Sequence, residues 1–92
     1  MTEPLTRTIA IVNRRGLHAR ASAKLAALAR TFDAAVTVAK DDYSVDAQSI
    51  MGLMMLAAGI GSEVTLTAEG AEAPAAMAAL AALIEDRFGE GE

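Results

Sequence analysis

The chain has 92 residues, a single histidine, no cysteine and a formal charge of −4. A hydrophobic content of 53% excludes disorder, and the lack of cysteine excludes disulfides, thiolate chemistry and cysteine-based metal sites. No apolar run approaches the roughly 18 residues of a membrane span, and the acidic balance argues against general nucleic-acid binding.

One domain covering residues 1–92 is expected, large enough to bury about two-thirds of the unfolded chain's surface. Met1 to Leu5 includes Glu3 and Pro4 and lacks the basic-then-apolar layout of a signal peptide, so a cytoplasmic protein is expected. The net charge conceals an asymmetry. Residues 1–46 hold seven of the eight basic side chains, whereas residues 47–92 hold only Arg87. Arg14, Arg15, Arg20, Lys24 and Arg30 gather around or after His18. Such a patch suits a phosphate group or the acidic face of a protein partner, with Lys24 on the partner side. A plain solvated helix face would explain Lys24 and Arg30 equally well.

In chain order, Leu5 to Val12 reads as a first strand with Leu5, Ile9 and Ile11 on one face and Arg7 as an imperfection. Asn13 to Gly16 forms a connection. A helix from about Ala19 to Thr31 places Ala21, Leu25, Leu28 and Phe32 in one apolar stripe, and Asp33 ends it. Gly16-Leu17-His18-Ala19-Arg20-Ala21 therefore lies where a strand gives way to a helix start. The first turn of a helix offers unpaired N–H groups and the positive end of its dipole. Arg20 adds a donor fork suited to phosphate oxygens, and Gly16 permits a sharp approach. A histidine there could accept a phosphoryl group, with Arg20, Ala19 and Gly16 forming the phosphate-binding set. The competing reading is a histidine that caps the helix and an arginine that is merely solvated.

Ala35 to Ala39 and Tyr43 to Val45 alternate and form an antiparallel hairpin, its loop a residue or so longer than the tightest type. A helix from Ser49 to about Ala57 follows, with N-cap candidates from Asp46 to Ser49. Ile50, Met51, Leu53, Met54, Met55 and Leu56 make it apolar on nearly every side. It is either a fully buried helix or one that offers an exposed patch to a partner, a use that suits methionine. Gly59 and Gly61 break it. Val64, Leu66 and Ala68 alternate with polar residues in a fourth strand that Gly70 ends. Pro74 opens a last helix with Met77, Leu80, Ala81, Ile84 and Phe88 on its core stripe, and Gly89 to Glu92 should fray. The order is βαββαβα, an α+β fold with one sheet and helices on one face.

Two stretches together resemble HPr, the histidine-containing phosphocarrier family of the bacterial phosphoenolpyruvate-dependent phosphotransferase system. They are Asn13-Arg14-Arg15-Gly16-Leu17-His18-Ala19-Arg20-Ala21 and Gln48-Ser49-Ile50-Met51-Gly52-Leu53-Met54. The element order and Ala68-Glu69-Gly70 match as well, so the likeness covers essentially the whole chain. The resemblance implies an open-faced two-layer sandwich, a four-stranded antiparallel sheet in order 1-4-2-3 under three helices. It implies that His18 carries the phosphoryl group on Nδ1, that Arg20 and first-turn amides neutralise it, and that Ser49 is a regulatory serine phosphorylated by a dedicated kinase in some bacteria. Ile50, Met51 and Met54 match the family's exposed docking patch, which favours partial exposure of the second helix. The family usually has proline where this chain has Ala21, so a slightly looser helix start is expected.

The function that follows is a relay. An enzyme I-type phosphoenolpyruvate-protein phosphotransferase charges His18, and the phosphoprotein passes the group to IIA-type acceptors. The protein is then itself a substrate in the relay rather than a stand-alone catalyst. It needs no cofactor or metal and is expected to be monomeric, with no nucleic-acid or membrane partner. A phosphoramidate must be held without hydrolysis, and no general base for water is expected near His18. The rival readings are a regulatory binding module of a nitrogen- or carbon-linked branch acting through the Ser49 face, a small metal-binding domain, and a ferredoxin-like ligand sensor. One histidine and no cysteine leave too few ligands for the second. The sensor leaves the paired motifs unexplained.

Overall fold

A computed structural model of the chain describes residues 3–90. The elements are β1 (Leu5–Ala10), α1 (Ala19–Ala29), β2 (Ala35–Lys40), β3 (Tyr43–Asp46), α2 (Ile50–Met55), β4 (Glu63–Glu69) and α3 (Ala73–Glu85), followed by a 3₁₀ turn at Arg87–Gly89. The strands pair antiparallel in the order β1-β4-β2-β3. Period-two alternation decides which side is wet. Val64, Leu66 and Ala68 of β4 are buried under the helices with Ile9, Val36 and Val38. The opposite face is lined by threonines, with Thr8 and Thr65 within 3.1 Å of each other across β1 and β4. α3 lies over β1 and β4, and α1 touches both α2 and α3. The result is the expected open-faced sandwich with three helices on one side.

Several local expectations shift. β1 ends at Ala10, although Ile11 stays buried and exchanges backbone bonds with Gly61 and Ser62. The α1 stripe runs through Ala21, Leu25 and Ala29, with Ser22 and Ala26 beside it, while Leu28 and Phe32 are only partly buried. Lys40 pairs directly with Tyr43, so the hairpin turns on Asp41-Asp42 alone, with Asp41 at φ +55°. That is the tightest kind of loop, and aspartate tolerates the left-handed conformation it needs. α2 stops at Met55, and Ala57 at φ +52° turns the chain before either glycine is reached.

The end of the chain departs most from expectation. Phe88 is fully buried, but it lies outside α3, because Arg87 and Phe88 both adopt left-handed φ values of +56° and +55°. Those two residues swing the segment back across the start of α1. Gly89 and Glu90 do not fray. Gly89 N–H donates to Asp86 O and Glu90 N–H to Arg87 O, at 3.0 Å each. Gly91 and Glu92, expected to fray with them, lie outside the described residues. No helix among the described residues is long and apolar enough to cross a membrane.

Candidate functional site

Gly16 places the site. Its φ is +65°, and a Cβ there would stand 2.2 Å from the carbonyl oxygen of Ala58 and 2.7 Å from the Cα of Gly59. Only glycine allows the two loops to touch, and the next residue locks them, with Leu17 N–H donating to Ala58 O at 2.9 Å. The amide of Gly16 is itself given to Asn13 O at 3.2 Å, so Gly16 shapes the loop more than it lines an anion site. Buried Ser22 fastens the far side, its Oγ donating to Leu17 O at 3.1 Å.

His18 follows as the N-cap residue of α1, with extended backbone and no capping bond from its side chain. Its carbonyl starts the helix by accepting from Ser22 N–H at 2.8 Å. The residue holds the N-cap position, but its side chain does not cap the helix and is left free for other contacts. The first-turn amides at Ala19 and Arg20 keep the outward, unpaired character of a helix start. The His18 side chain is 24% exposed, at the surface but not fully in solvent. Ala21, where the family usually has proline, is fully buried in the first turn, and α1 still starts at Ala19.

A cleft of about 300 Å³ is lined by Arg15, Arg20, Lys24, Gly89 and Glu90, and His18 is joined to it through Glu90. Among the described residues Arg14, Arg15 and Arg20 form no ion pair, while Arg30 lies elsewhere and donates to Gln48 O at 3.0 Å. The basic cluster thus divides. Arg15, Arg20 and Lys24 share the wall of the cleft that Glu90 also lines, and Arg30 braces the loop that precedes α2.

Glu90 was not foreseen as a site residue. One carboxylate oxygen is hydrogen-bonded to His18 Nε2, and the other accepts from Asn13 Nδ2 at 3.0 Å. Asn13, also absent from the predicted set, is fully buried and donates to Gly16 O at 2.9 Å as well. Turning the amide over would set its oxygen against two acceptors, so the network itself fixes its orientation. Asn13 Oδ1 is then left buried without a partner. Burial works to raise the Glu90 carboxyl. The bonds from Asn13 and His18 and the charges of His18 and Lys24 outweigh it and hold the group below its ordinary 4.5. A carboxylate therefore does stand next to His18, contrary to the expectation of no base nearby, but each of its oxygens already holds a donor.

The second motif is arranged as a cap and a patch. Ser49 is the N-cap of α2, and its Oγ accepts from Gly52 N–H at 3.0 Å. Leu53 and Leu56 point into the core and Ile50 is half-buried. Met51 is 71% exposed and Met55 76% exposed, with Met54 and Ile60 also open to solvent. Met55 and Ile60 extend the apolar surface beyond the predicted Ile50, Met51 and Met54. The partial-exposure reading of α2 holds.

The comparisons with known proteins agree with this arrangement. The family described as the PTS HPr component phosphorylation site matches residues 5–86. The phosphocarrier protein HPr of Cupriavidus necator is 58% identical over 88 residues, 96% of this chain and 99% of that protein. The phosphocarrier protein NPr of Shewanella violacea is 44% identical over 86 residues, covering 94% of each. The crystal structure of HPr-C-His from Thermoanaerobacter tengcongensis superposes with a TM-score of 0.90 at 44% identity, covering 94% of this chain and 97% of that one. With the predicted motifs, the β1-β4-β2-β3 sheet and a histidine at a basic helix start all in one chain, this protein belongs to the HPr family of phosphocarrier proteins of the phosphotransferase system.

Proposed function

We propose that His18 is the residue that carries the phosphoryl group, on Nδ1, taking it from an enzyme I-type phosphotransferase and giving it to a IIA-type acceptor. The observation that carries this reading is a partly exposed, non-capping imidazole at the start of α1, bonded to Glu90, which itself lines a cleft with Arg15, Arg20 and Lys24. In its neutral form an imidazole carries a proton on one ring nitrogen and a free lone pair on the other. Its Nδ1 lone pair forms the N–P bond while the donor's bond to phosphorus breaks and the donor keeps that electron pair. The proton on Nε2 stays where it is. Arg20 and the first-turn amides meet the charge that arrives with the phosphoryl oxygens. The reverse sequence delivers the group onward.

Docking is assigned to the exposed methionine face of α2, with Met51, Met54 and half-buried Ile50 at its centre and Lys24 at its basic margin. Ser49 sits beside that face. A phosphate on its Oγ would add about −1.5 to −2 charges next to the patch without needing the helix to unfold, and would slow transfer to His18 by repelling an acidic partner surface. A dedicated serine kinase is the enzyme this reading requires. In this reading the working unit is a monomer in the cytoplasm.

The test is phosphorylation by purified enzyme I and phosphoenolpyruvate. His18→Ala should accept no phosphoryl group, and Arg20→Ala should accept it on the order of a hundredfold more slowly. Normal labelling of His18→Ala would overturn the assignment.

A further inference from the structure

We propose that Glu90 is a positioning residue for phosphoryl transfer: its carboxylate accepts the Nε2–H of His18 and so presents Nδ1 as the free lone pair. This rests on the reading of His18 as the carrier. A neutral imidazole has one ring nitrogen protonated and one able to attack, and the hydrogen bond made by one nitrogen decides the role of the other. With Nε2–H directed at Glu90, only Nδ1 remains nucleophilic.

The contact is built from several sides. Phe88 anchors the segment in the core, and Lys24 Nζ donates to its carbonyl at 2.7 Å. Phe88 burial and the polar contacts of Lys24 and Glu90 together hold the segment down. Asn13, buried beneath, orients the carboxylate by holding its second oxygen. The Glu90 side chain is only 14% exposed, so water competes weakly for it.

The arrangement also bears on the barrier. As the Nδ1–P bond forms, the ring gives up electron density and Nε2–H becomes more acidic and more positive. A fixed carboxylate at that hydrogen stabilises the change as it develops, in the way a buried aspartate serves a catalytic histidine. The proton remains on Nε2, shared in the hydrogen bond, and returns to its ground-state position when the group departs. Arg15, Arg20 and Lys24 face the same cleft and balance the charge of Glu90, so an incoming phosphoryl group still meets a net positive wall.

The experiment uses the full chain labelled with ¹⁵N in its imidazole, with the pH raised until the ring shifts stop changing, together with Glu90→Ala and Glu90→Gln. The wild type should show one protonated ring nitrogen, Nε2, with a slowly exchanging ring N–H proton. In Glu90→Ala that proton resonance should vanish and the two nitrogen shifts should move toward each other. Glu90→Gln keeps an acceptor but not the charge. It should keep the tautomer yet accept the phosphoryl group roughly tenfold more slowly at saturating donor. A persistent ring N–H proton in a folded Glu90→Ala, or a wild-type rate in Glu90→Gln, would overturn the proposal. If the wild type itself accepts no phosphoryl group, the carrier reading falls instead, and the ring resonances still report whether Glu90 holds Nε2.

Discussion

Lys24 Nζ donates to the carbonyl oxygen of Phe88 at 2.7 Å, tying the middle of α1 to the 3₁₀ turn that ends the described chain. The bond closes one side of the cleft that Glu90 lines. It gives Lys24 a structural task besides the partner-facing one expected from its charge.

Lys24→Met keeps most of the stem and removes the charge and the bond. The hydrogen bond is partly exposed, so global stability should fall by about 1 kcal/mol at most. The larger effect is local. The amides of Gly89 and Glu90 should exchange with solvent at least several-fold faster by hydrogen-exchange NMR, while those of β4 keep their wild-type rates. Uniform protection across both segments would show that the turn does not need Lys24.

Gly16→Ala should be among the most damaging single substitutions in the chain. The added methyl meets backbone atoms of Ala58 and Gly59 at 2.2 and 2.7 Å, and neither can rotate away. Left-handed φ adds further strain, so a loss of about 3 kcal/mol is expected by urea denaturation. A loss below about 0.5 kcal/mol would mean that the two loops are not locked together.

Glu90 sets the pH response of the turn. Burial raises its carboxyl, but the donors and positive charges around it prevail and leave it below 4.5 in the folded chain. A carboxylate with a depressed folded value stabilises the structure fully above its unfolded value and loses that contribution as pH falls through the folded one. The turn should therefore release in acid below pH 4.5, followed by the side-chain amide of Asn13 and the backbone amide of Gly89 in an NMR titration. A release centred near neutral pH would contradict the role given to this carboxylate.

Ser49→Ala removes the acceptor for Gly52 N–H and should cost about 1 kcal/mol, seen as a lower urea midpoint with an unchanged slope. Because the hydroxyl's bond is structural, transfer to His18 in the unmodified Ser49→Ala protein should equal wild type. Phosphorylated wild type should be slower than either. Equal rates with and without phosphate on Ser49 would remove the regulatory assignment.

Most of the frame was legible because it rests on patterns with one cause each. The alternation of Val64, Leu66 and Ala68 is the pleat of a half-buried strand, and Ser49 before an apolar run is a cap. Gly16 before Leu17 and His18 marked a sharp turn, and the structure adds its positive φ and what it turns against. The exposure of Met51 and Met55 was not decidable from an all-apolar helix, since burial depends on layers the local sequence does not describe. Glu90 was hidden for a stricter reason. Its position depends on Arg87 and Phe88 adopting left-handed backbone, for which neither residue type carries a signal. Phe88 was rightly placed in the core, but through a helix it does not occupy. The buried Asn13 was equally silent, because its partners lie at Gly16 and at the far end of the chain.

In the proposed relay a single imidazole at the start of α1 accepts and releases a phosphoryl group. The most direct measurement is ³¹P NMR of the wild-type chain after incubation with phosphoenolpyruvate and enzyme I. One phosphoramidate resonance is predicted, coupled to Nδ1 of His18, stable in base and lost in acid. A phosphate that survives acid, or one attached to any residue other than His18, would contradict it.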